Sequence, residues 1–568
     1  MSELPPFLLY FAAAALLAVT RGLPRQLILL ATPLVTGLYL WLGINPGTDV
    51  AYTLMSYELM VVRADKLSLL FSYLFCIASF FAGIFSLHVK DTKQHIAGVI
   101  YAGSALGAVF SGDLITLFIF WELLAISSVF LIWARGTERA LKAGMRYLVY
   151  QVLSGVLLLA GALVYYHKTG SLAFDHIGLD AGVAGWLIFI AFGIKSAFPF
   201  LHSWLTDGYP EATVTGTVLL SAFTTKVAVY ALARGFAGEE ILIYIGVTMA
   251  CFPIFYAVIE NDLRRVLAYS LINQVGFMVT GIGIGTALAL NGAVAHAFSD
   301  VIFKGLLFMS MGAVLYRVGN INGSDLGGLY KSMPKTAMLC IIGALSISAF
   351  PLFSGFVSKS MVMTALMKED YGYFWLLMLF ASAGVFHHAG IKIPYFAFFH
   401  HDSGIRTQEA PRNMLVAMGV AALLCVFIGT QPQYLYALLP WEVEYWPYDM
   451  THVLAQLQLL FFSALAFVWL NKQGLYPPEL HSVNLDMEWF YRRLVPAGAQ
   501  RTLNLLRSAK ETTLTTVTTH MQGMQNKFGK SPMAKYHLSE SWPTGSMVFW
   551  ISAILAAFLL LDLFGLGR

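Results

Sequence analysis

Residues 183–200 read VAGWLIFIAFGIKSAFPF. Twelve apolar or small residues lead to Lys195, and Pro199 follows four residues later. A membrane helix needs about 20 apolar residues, and this run supplies most of them. Proline removes an amide donor and clashes with the preceding turn. In lipid, such a break is tolerated only where it is buried in protein or lines a cavity. The stretch therefore reads as a membrane helix broken at a working position. Ala197–Phe198–Pro199–Phe200 has an echo 152 residues on, Ala349–Phe350–Pro351–Leu352, inside another proline-broken apolar run. A lysine follows in the next helix each time, Lys226 and Lys392. The pattern predicts two five-helix repeats, the fourth to eighth and the ninth to thirteenth helices. An offset of five helices inverts the topology, and many transporters place ion sites at such breaks.

Composition agrees. The 568 residues are 58% hydrophobic and 12% charged, with a mean hydropathy of +0.70. Soluble domains carry roughly 45–50% and about 25%. These values exclude a soluble globular enzyme, a disordered chain and a nucleic-acid binder. A net charge of +4 is too small to indicate a partner. Cys76, Cys251, Cys340 and Cys425 each lie in an apolar run without CxxC spacing, so neither a zinc site nor a redox pair is expected. His387–His388 and His400–His401–Asp402 do not converge on a metal, because adjacent helical residues point apart. No cofactor is expected. The first apolar run ends at Arg21 without a small-residue cleavage site and reads as a membrane helix rather than a signal peptide.

The fold class predicted is an all-α polytopic membrane protein of about 16 transmembrane helices. Its parts are residues 1–94, the first three helices; 95–235, the first repeat; 239–400, the second, inverted repeat; and 412–472, two further helices. After these come 473–543, a polar, basic lateral segment, and 544–568, the final transmembrane helix. Leu503, Leu506, Leu514 and Val517 recur among threonines and arginines in 473–543, predicting an amphipathic helix on the cytoplasmic surface; a flexible linker is the alternative. Orientation follows from basic residues. If the Arg21–Arg25 loop is cytoplasmic, 24 Lys and Arg fall on that side. Six fall on the other, namely Arg63, Lys66, Lys168, Arg234, Lys368 and Arg568. That bias predicts both termini facing outward, in a bacterial inner membrane the periplasm.

Five basic residues remain inside predicted spans: Lys195, Lys226, Lys304, Lys359 and Lys392. An ammonium at the bilayer centre costs about 2.5–3.5 kcal/mol on the mildest scale. All five are lysine, whose charge is readily lost on burial, whereas arginine stays charged. The choice favours proton relay over static pairing. For Lys359 and Lys392, near span ends, snorkelling to the interface is the alternative. Glu122 stands within an apolar run and needs a cation or a proton; Lys195 is the expected partner, and a purely structural ion pair is the alternative. His296, Asp300 and Lys304 recur at i, i+4 and i+8 on one helix face, as a hydrogen-bonded chain or as a self-neutralising Asp300–Lys304 pair.

These residues sit in recognisable motifs. Lys195–Ser196–Ala197–Phe198–Pro199–Phe200–Leu201–His202–Ser203–Trp204–Leu205, followed by Tyr209–Pro210–Glu211–Ala212, resembles the antiporter-like membrane subunits of respiratory complex I. Leu220–Ser221–Ala222–Phe223–Thr224–Thr225–Lys226 is similar to the D-type subunit of Mrp-type multisubunit sodium/proton antiporters, and Asp262–Leu263–Arg264–Arg265 and Gly355–Phe356–Val357–Ser358–Lys359 point to the same group. The resemblance covers about residues 60–430. It implies two inverted repeats with the seventh and twelfth helices broken. It further implies Glu122 and Lys195 as a coupling pair, Lys226 and His296 as central relay, and Lys359 as a terminal site, with His202 and Asp113 in support. Relatives often carry a second histidine where Asp300 stands. The C-terminal extension looks like the lateral and final helices of the largest complex I antiporter-like subunit. The function expected is that of a proton-translocating subunit of a multisubunit cation/proton antiporter. Its expected partners are other membrane subunits, the lipid bilayer, protons, and sodium or another monovalent cation. A proton-pumping subunit of a complex I-like or hydrogenase-linked redox complex is the alternative. No catalytic redox centre of its own is expected.

Overall fold

The computed structural model describes residues 4–54, 57–442, 444–480, 484, 486–528 and 544–563. It divides into two units, Met1–Asp486 and Met487–Arg568. In the first, α1 (Phe7–Val19), α2 (Leu23–Gly43) and α3 (Lys66–Phe85) precede the repeats. The first repeat is α4 (Thr92–Phe110), α5 (Leu114–Trp133), α6 (Glu138–Thr169), the halves α7 (Val183–Lys195) and α8 (Ser203–Gly208), and the halves α9 (Gly216–Ala222) and α10 (Thr224–Gly235). The second is α11 (Ile241–Ile259), α12 (Leu263–Ile284), α13 (Ala287–Val318), the halves α14 (Pro334–Ile347) and α15 (Ser354–Lys368), and α16 (Gly372–Val385). α16 runs on as π-helix over Phe386–Lys392 and Tyr395–Phe399. α17 (Arg412–Thr430), α18 (Pro432–Tyr436) and α19 (Met450–Lys472) complete the unit.

Among the described residues, eleven helices are long and apolar enough to cross a membrane. The sixteen predicted spans are not sixteen long helices, because α1 has only 13 residues and three spans are divided. The all-α class holds, with one added feature that the sequence reading did not include. Asp49–Leu54 (β1) and Tyr57–Arg63 (β2) form an antiparallel hairpin with an irregular register between Val50 and Ala51. Its second strand, Tyr57–Glu58–Leu59–Met60–Val61–Val62, is the β-branched and aromatic composition that strands prefer.

The repeats match closely. α4 and α11 are both 19 residues and start 149 residues apart, at Thr92 and Ile241. α6 and α13 are both 32 residues and also start 149 apart, at Glu138 and Ala287. Asp113 and Asp262 cap α5 and α12, each side chain accepting two backbone N–H groups of the first turn. Both breaks open alike: Ala197 and Ala349 have φ of 62° and 56°, Phe200 and Leu352 of 70° and 76°. The Phe198 and Phe350 amides reach back five residues, to the Gly193 and Leu345 carbonyls at 2.9 and 3.0 Å. A non-glycine residue held there costs on the order of 1–3 kcal/mol, so the surrounding packing imposes the break. Ala197→Val and Ala349→Val are expected to destabilise by about 1–3 kcal/mol, since a branched side chain is least tolerated at positive φ. The glycine variants should be near neutral, and thermal unfolding of the solubilised protein separates the two outcomes.

The equivalent helices differ in surroundings. α13 is buried along nearly its whole length, whereas α6 exposes Leu141, Met145, Val149, Val152, Val156 and Leu163. Arg264, fully buried, joins the repeats by donating to the Pro210 and Ala212 carbonyls at 3.0 and 3.1 Å.

The second unit holds a π turn, Phe490–Leu494, then α20 (Val495–Phe528) and α21 (Thr544–Leu563). Thr512, Thr513, Thr515, Thr516 and Thr519 of α20 each donate to the carbonyl one turn back. Their polarity is thereby satisfied within the helix. Part of the predicted lateral segment, residues 481–483, 485 and 529–543, lies outside the described residues, as do the chain ends, 1–3 and 564–568, expected to face outward.

Candidate functional site

Lysine can lie inside an apolar protein if carbonyls or carboxylates meet its ammonium. Helix breaks supply them, since the last carbonyls of a helix have no intrahelical partner and carry partial negative charge. α9 and α10 meet at Phe223 without a proline or glycine. Lys226, in the first turn of α10, donates back to the Ser221 carbonyl at 3.2 Å. Lys359, on α15, donates to the Ile347 carbonyl at the end of α14, 3.3 Å away. Lys392 donates to the Ala257, Val258 and Glu260 carbonyls at the end of α11, at 3.1, 2.6 and 2.6 Å. Lys195 is the last residue of α7 and donates to the Trp121 carbonyl of α5 at 2.5 Å, its Nζ 4.5 Å from the Trp121 ring centre. All five lysines are at most 2% exposed, so Lys359 and Lys392 do not snorkel.

Glu122 lies half-buried on α5, its carboxylate turned against α6. Gly155 makes that possible, since a Cβ there would overlap Oε1. Oε1 is buried without a hydrogen-bond partner among the described residues. Among the described residues no ion pair joins it to Lys195, whose ammonium is turned onto Trp121. Trp121 is fixed by donating Nε1–H to Ser154 at 2.9 Å, and Ser154 donates to the Ala191 carbonyl of α7 at 2.6 Å.

An ion pair joins the repeats. Lys226 Nζ of α10 stands 2.5 Å from Asp300 Oδ2 of α13, both side chains fully buried. Asp300 therefore pairs across to the first repeat and not along its own helix to Lys304. Lys304 donates to Ser270 Oγ of α12 at 2.8 Å. His296 is held between Gln274 Oε1 of α12, 3.1 Å from Nε2, and Ser358 Oγ of α15, 3.0 Å from Nδ1. The carbonyl oxygen of Gln274 calls for the proton on Nε2, leaving Nδ1 to accept. Ser358 is next in sequence to Lys359. So the three residues predicted to stack on one face do share α13, yet each engages a different neighbour. Lys359 lines a cavity of about 360 Å³ together with Lys368, His452 and Gln456.

The two residues expected in support are placed as follows. Asp113 spends its carboxylate on the start of α5, accepting from the Ile115 and Thr116 amides and the Thr116 hydroxyl. His202, after the first break, places Nε2 3.1 Å from both oxygens of Asp486, which also accepts from Tyr269 at 2.7 Å. Glu479 stands 2.9 Å from Lys392 Nζ, with 5% of its side chain exposed. Neither Asp486 nor Glu479 was singled out by sequence, because both lie in a polar stretch without periodicity.

Comparison with known proteins adds the following. Residues 111–386 match the family model described as NADH:quinone oxidoreductase/Mrp antiporter, transmembrane. The D-type subunit of the Na(+)/H(+) antiporter of Alkalihalophilus pseudofirmus is 33% identical over 285 residues, covering 47% of this chain and 58% of that protein. Hydrogenase-4 component B of Escherichia coli is 27% identical over 423 residues, covering 66% and 63%. Among solved structures, a chain of the Mrp complex from Dietzia sp. superposes with a TM-score of 0.77 at 24% identity, over 91% of this chain and 62% of that one. The chain thus spans about three fifths of the length of these relatives.

Proposed function

We propose that the chain, whose residues 111–386 match the NADH:quinone oxidoreductase/Mrp antiporter transmembrane family model, is a proton-translocating, antiporter-like subunit of a multisubunit membrane complex. The observation that carries the reading is the fully buried Lys226–Asp300 pair joining the two repeats. It lies in a succession of groups that runs from half-buried Glu122 and buried Lys195 to the buried His296, Lys304, Lys359 and Lys392. A buried pair costs desolvation that its attraction only partly offsets, so its retention fits a working part. In this reading a proton arriving near Lys195 weakens its hold on Glu122. Charge then shifts along Lys226–Asp300 to Lys304 and His296, and leaves from Lys359 through the cavity beside it. The relay exchanges protons for sodium or another monovalent cation handled with partner subunits.

A redox-driven membrane subunit is the second reading, favoured by the longer stretch shared with hydrogenase-4 component B. Purification of the intact complex tests both. Proton uptake driven by a sodium gradient in proteoliposomes supports the first reading, and uptake only on addition of an electron donor supports the second. No proton movement under either drive would overturn the proposal.

We also propose a cell-membrane location with both ends outward, and α20 on the cytoplasmic surface against a neighbouring subunit. Its 34 residues are about 50 Å long at 1.5 Å each. Cysteines placed at 498–520 should label from the cytoplasm and crosslink to a partner chain. Labelling from the periplasm alone would reverse the topology.

A further inference from the structure

His388 is unexplained by the relay as described. It is fully buried, and among the described residues neither ring nitrogen has a hydrogen-bond partner. The backbone of Gly384, one turn back, is the hydrogen-bonding group that faces the ring, and among the described residues no side chain does so within bonding distance. Buried polar groups are nearly always satisfied, so an exception calls for a reason. The charged or titratable groups that act on it are Lys304 of α13 and His387 and Lys392 of its own segment. That segment, Phe386–Lys392, is seven residues of π-helix, a form that is rare and concentrates at functional sites. It packs at the break between α14 and α15, where a Cβ on Gly390 would collide with Ser348 Oγ. At its end, Lys392 pairs with Glu479 at 2.9 Å. Burial pushes the Glu479 carboxyl above its ordinary value, against the pull of Lys392, which favours its taking up a proton.

We propose that His388 passes protons between Lys304 and the Lys392–Glu479 pair, giving the relay a second terminus distinct from the cavity beside Lys359. The proposal rests on the proton-translocating reading above. Lys304 turns from Ser270 Oγ to give its ammonium proton to one imidazole nitrogen, and the other nitrogen gives up its proton to a neutral Lys392 amine turned from the α11 carbonyls. Lys392 becomes neutral beforehand by handing a proton to the Glu479 carboxylate, which releases it to water. Each transfer conserves protons, and the imidazole regains its starting form by exchanging tautomers. Imidazole suits this step because it can take and give a proton on separate atoms.

The test is proton flux through the intact complex in proteoliposomes, with assembly checked on native gels. His388→Gln keeps volume and polarity but cannot relay. Glu479→Gln removes the terminal acid outside the membrane spans, so it remains informative should the histidine variant fail to assemble. Each is expected to lower flux more than twofold, the remainder leaving beside Lys359, with the double variant no worse than the poorer single one, because both block one route. Glu479→Asp should restore most of the flux, which a merely structural carboxylate contact need not do. Flux within twofold of native in either assembled glutamine variant would overturn the proposal, as would additive losses in the double variant. Lys226→Met separates the two readings. If it transports normally, the relay itself is wrong. If it is inactive while His388→Gln and Glu479→Gln transport normally, only the second terminus is.

Discussion

Asp300→Asn and Lys226→Met are each expected to abolish proton transfer, and together to restore assembly without restoring transport. The two side chains are fully buried 2.5 Å apart, and removing either leaves the other an uncompensated charge in a medium that stabilises it poorly. Breaking such a pair costs about 3–5 kcal/mol. The single variants should therefore accumulate poorly or carry the surviving group neutral. The double variant replaces both charges by groups of similar size, which is often neutral for stability. Lys226→Arg completes the series. It keeps the charge opposite Asp300 but cannot release a proton at any working pH, and should fail almost as fully as methionine. Proton uptake in everted vesicles, normalised to assembled complex, checks all four. Near-native transport by the arginine variant would make Lys226 a fixed charge.

Glu122→Ala and Lys195→Ala should each lower transport at least 100-fold while the chain still inserts, because neither residue bonds to a side chain that would be left unpaired. Lys195 donates to a backbone carbonyl, and Glu122 Oε1 has no partner among the described residues. The geometric arm of this prediction is Gly155→Ala. The added Cβ would occupy the place of the Glu122 carboxylate, and since the carboxylate ends a flexible side chain, the fold should tolerate the shift. Misplacing a reacting group by about 1 Å can cost about 100-fold, so a loss of about 10–100-fold with normal expression is expected. Unchanged flux in Gly155→Ala would mean that the position of Glu122 is not critical.

The breaks at Pro199 and Pro351 were legible because proline cannot continue a regular helix and because the same four-residue motif occurs twice, one repeat apart. The break at Phe223 was not. Ser221–Ala222–Phe223–Thr224–Thr225 has no proline or glycine, and tertiary packing imposes the interruption that gives Lys226 a free carbonyl. The identity of the buried charges was legible from composition alone, since five lysines stood where lipid penalises them. Their pairing was only partly so. Helical spacing placed Lys304 nearest Asp300 in sequence, whereas Asp300 finds Lys226 across the interface between repeats, a contact set by how α10 and α13 pack. Glu479 and Asp486 gave no signal, because a carboxylate in a polar loop reads as solvated until the loop is seen to fold inward. His388 was weighed only as a metal ligand, since its burial beside Lys304 and Lys392 depends on a π turn that no sequence period announces.

The pair between the repeats also has a consequence for biosynthesis. Lys226 and Asp300 are 74 positions apart, and a ribosome adds about 5–20 residues each second. The lysine therefore leaves the ribosome roughly 4–15 s before its counterion exists. During that interval the nascent first repeat must be held by the insertion machinery, or wait with Lys226 neutral or at the bilayer edge. Chains stalled between these two codons should be preferred substrates of membrane proteases. Chains stalled after Asp300 should be markedly longer-lived.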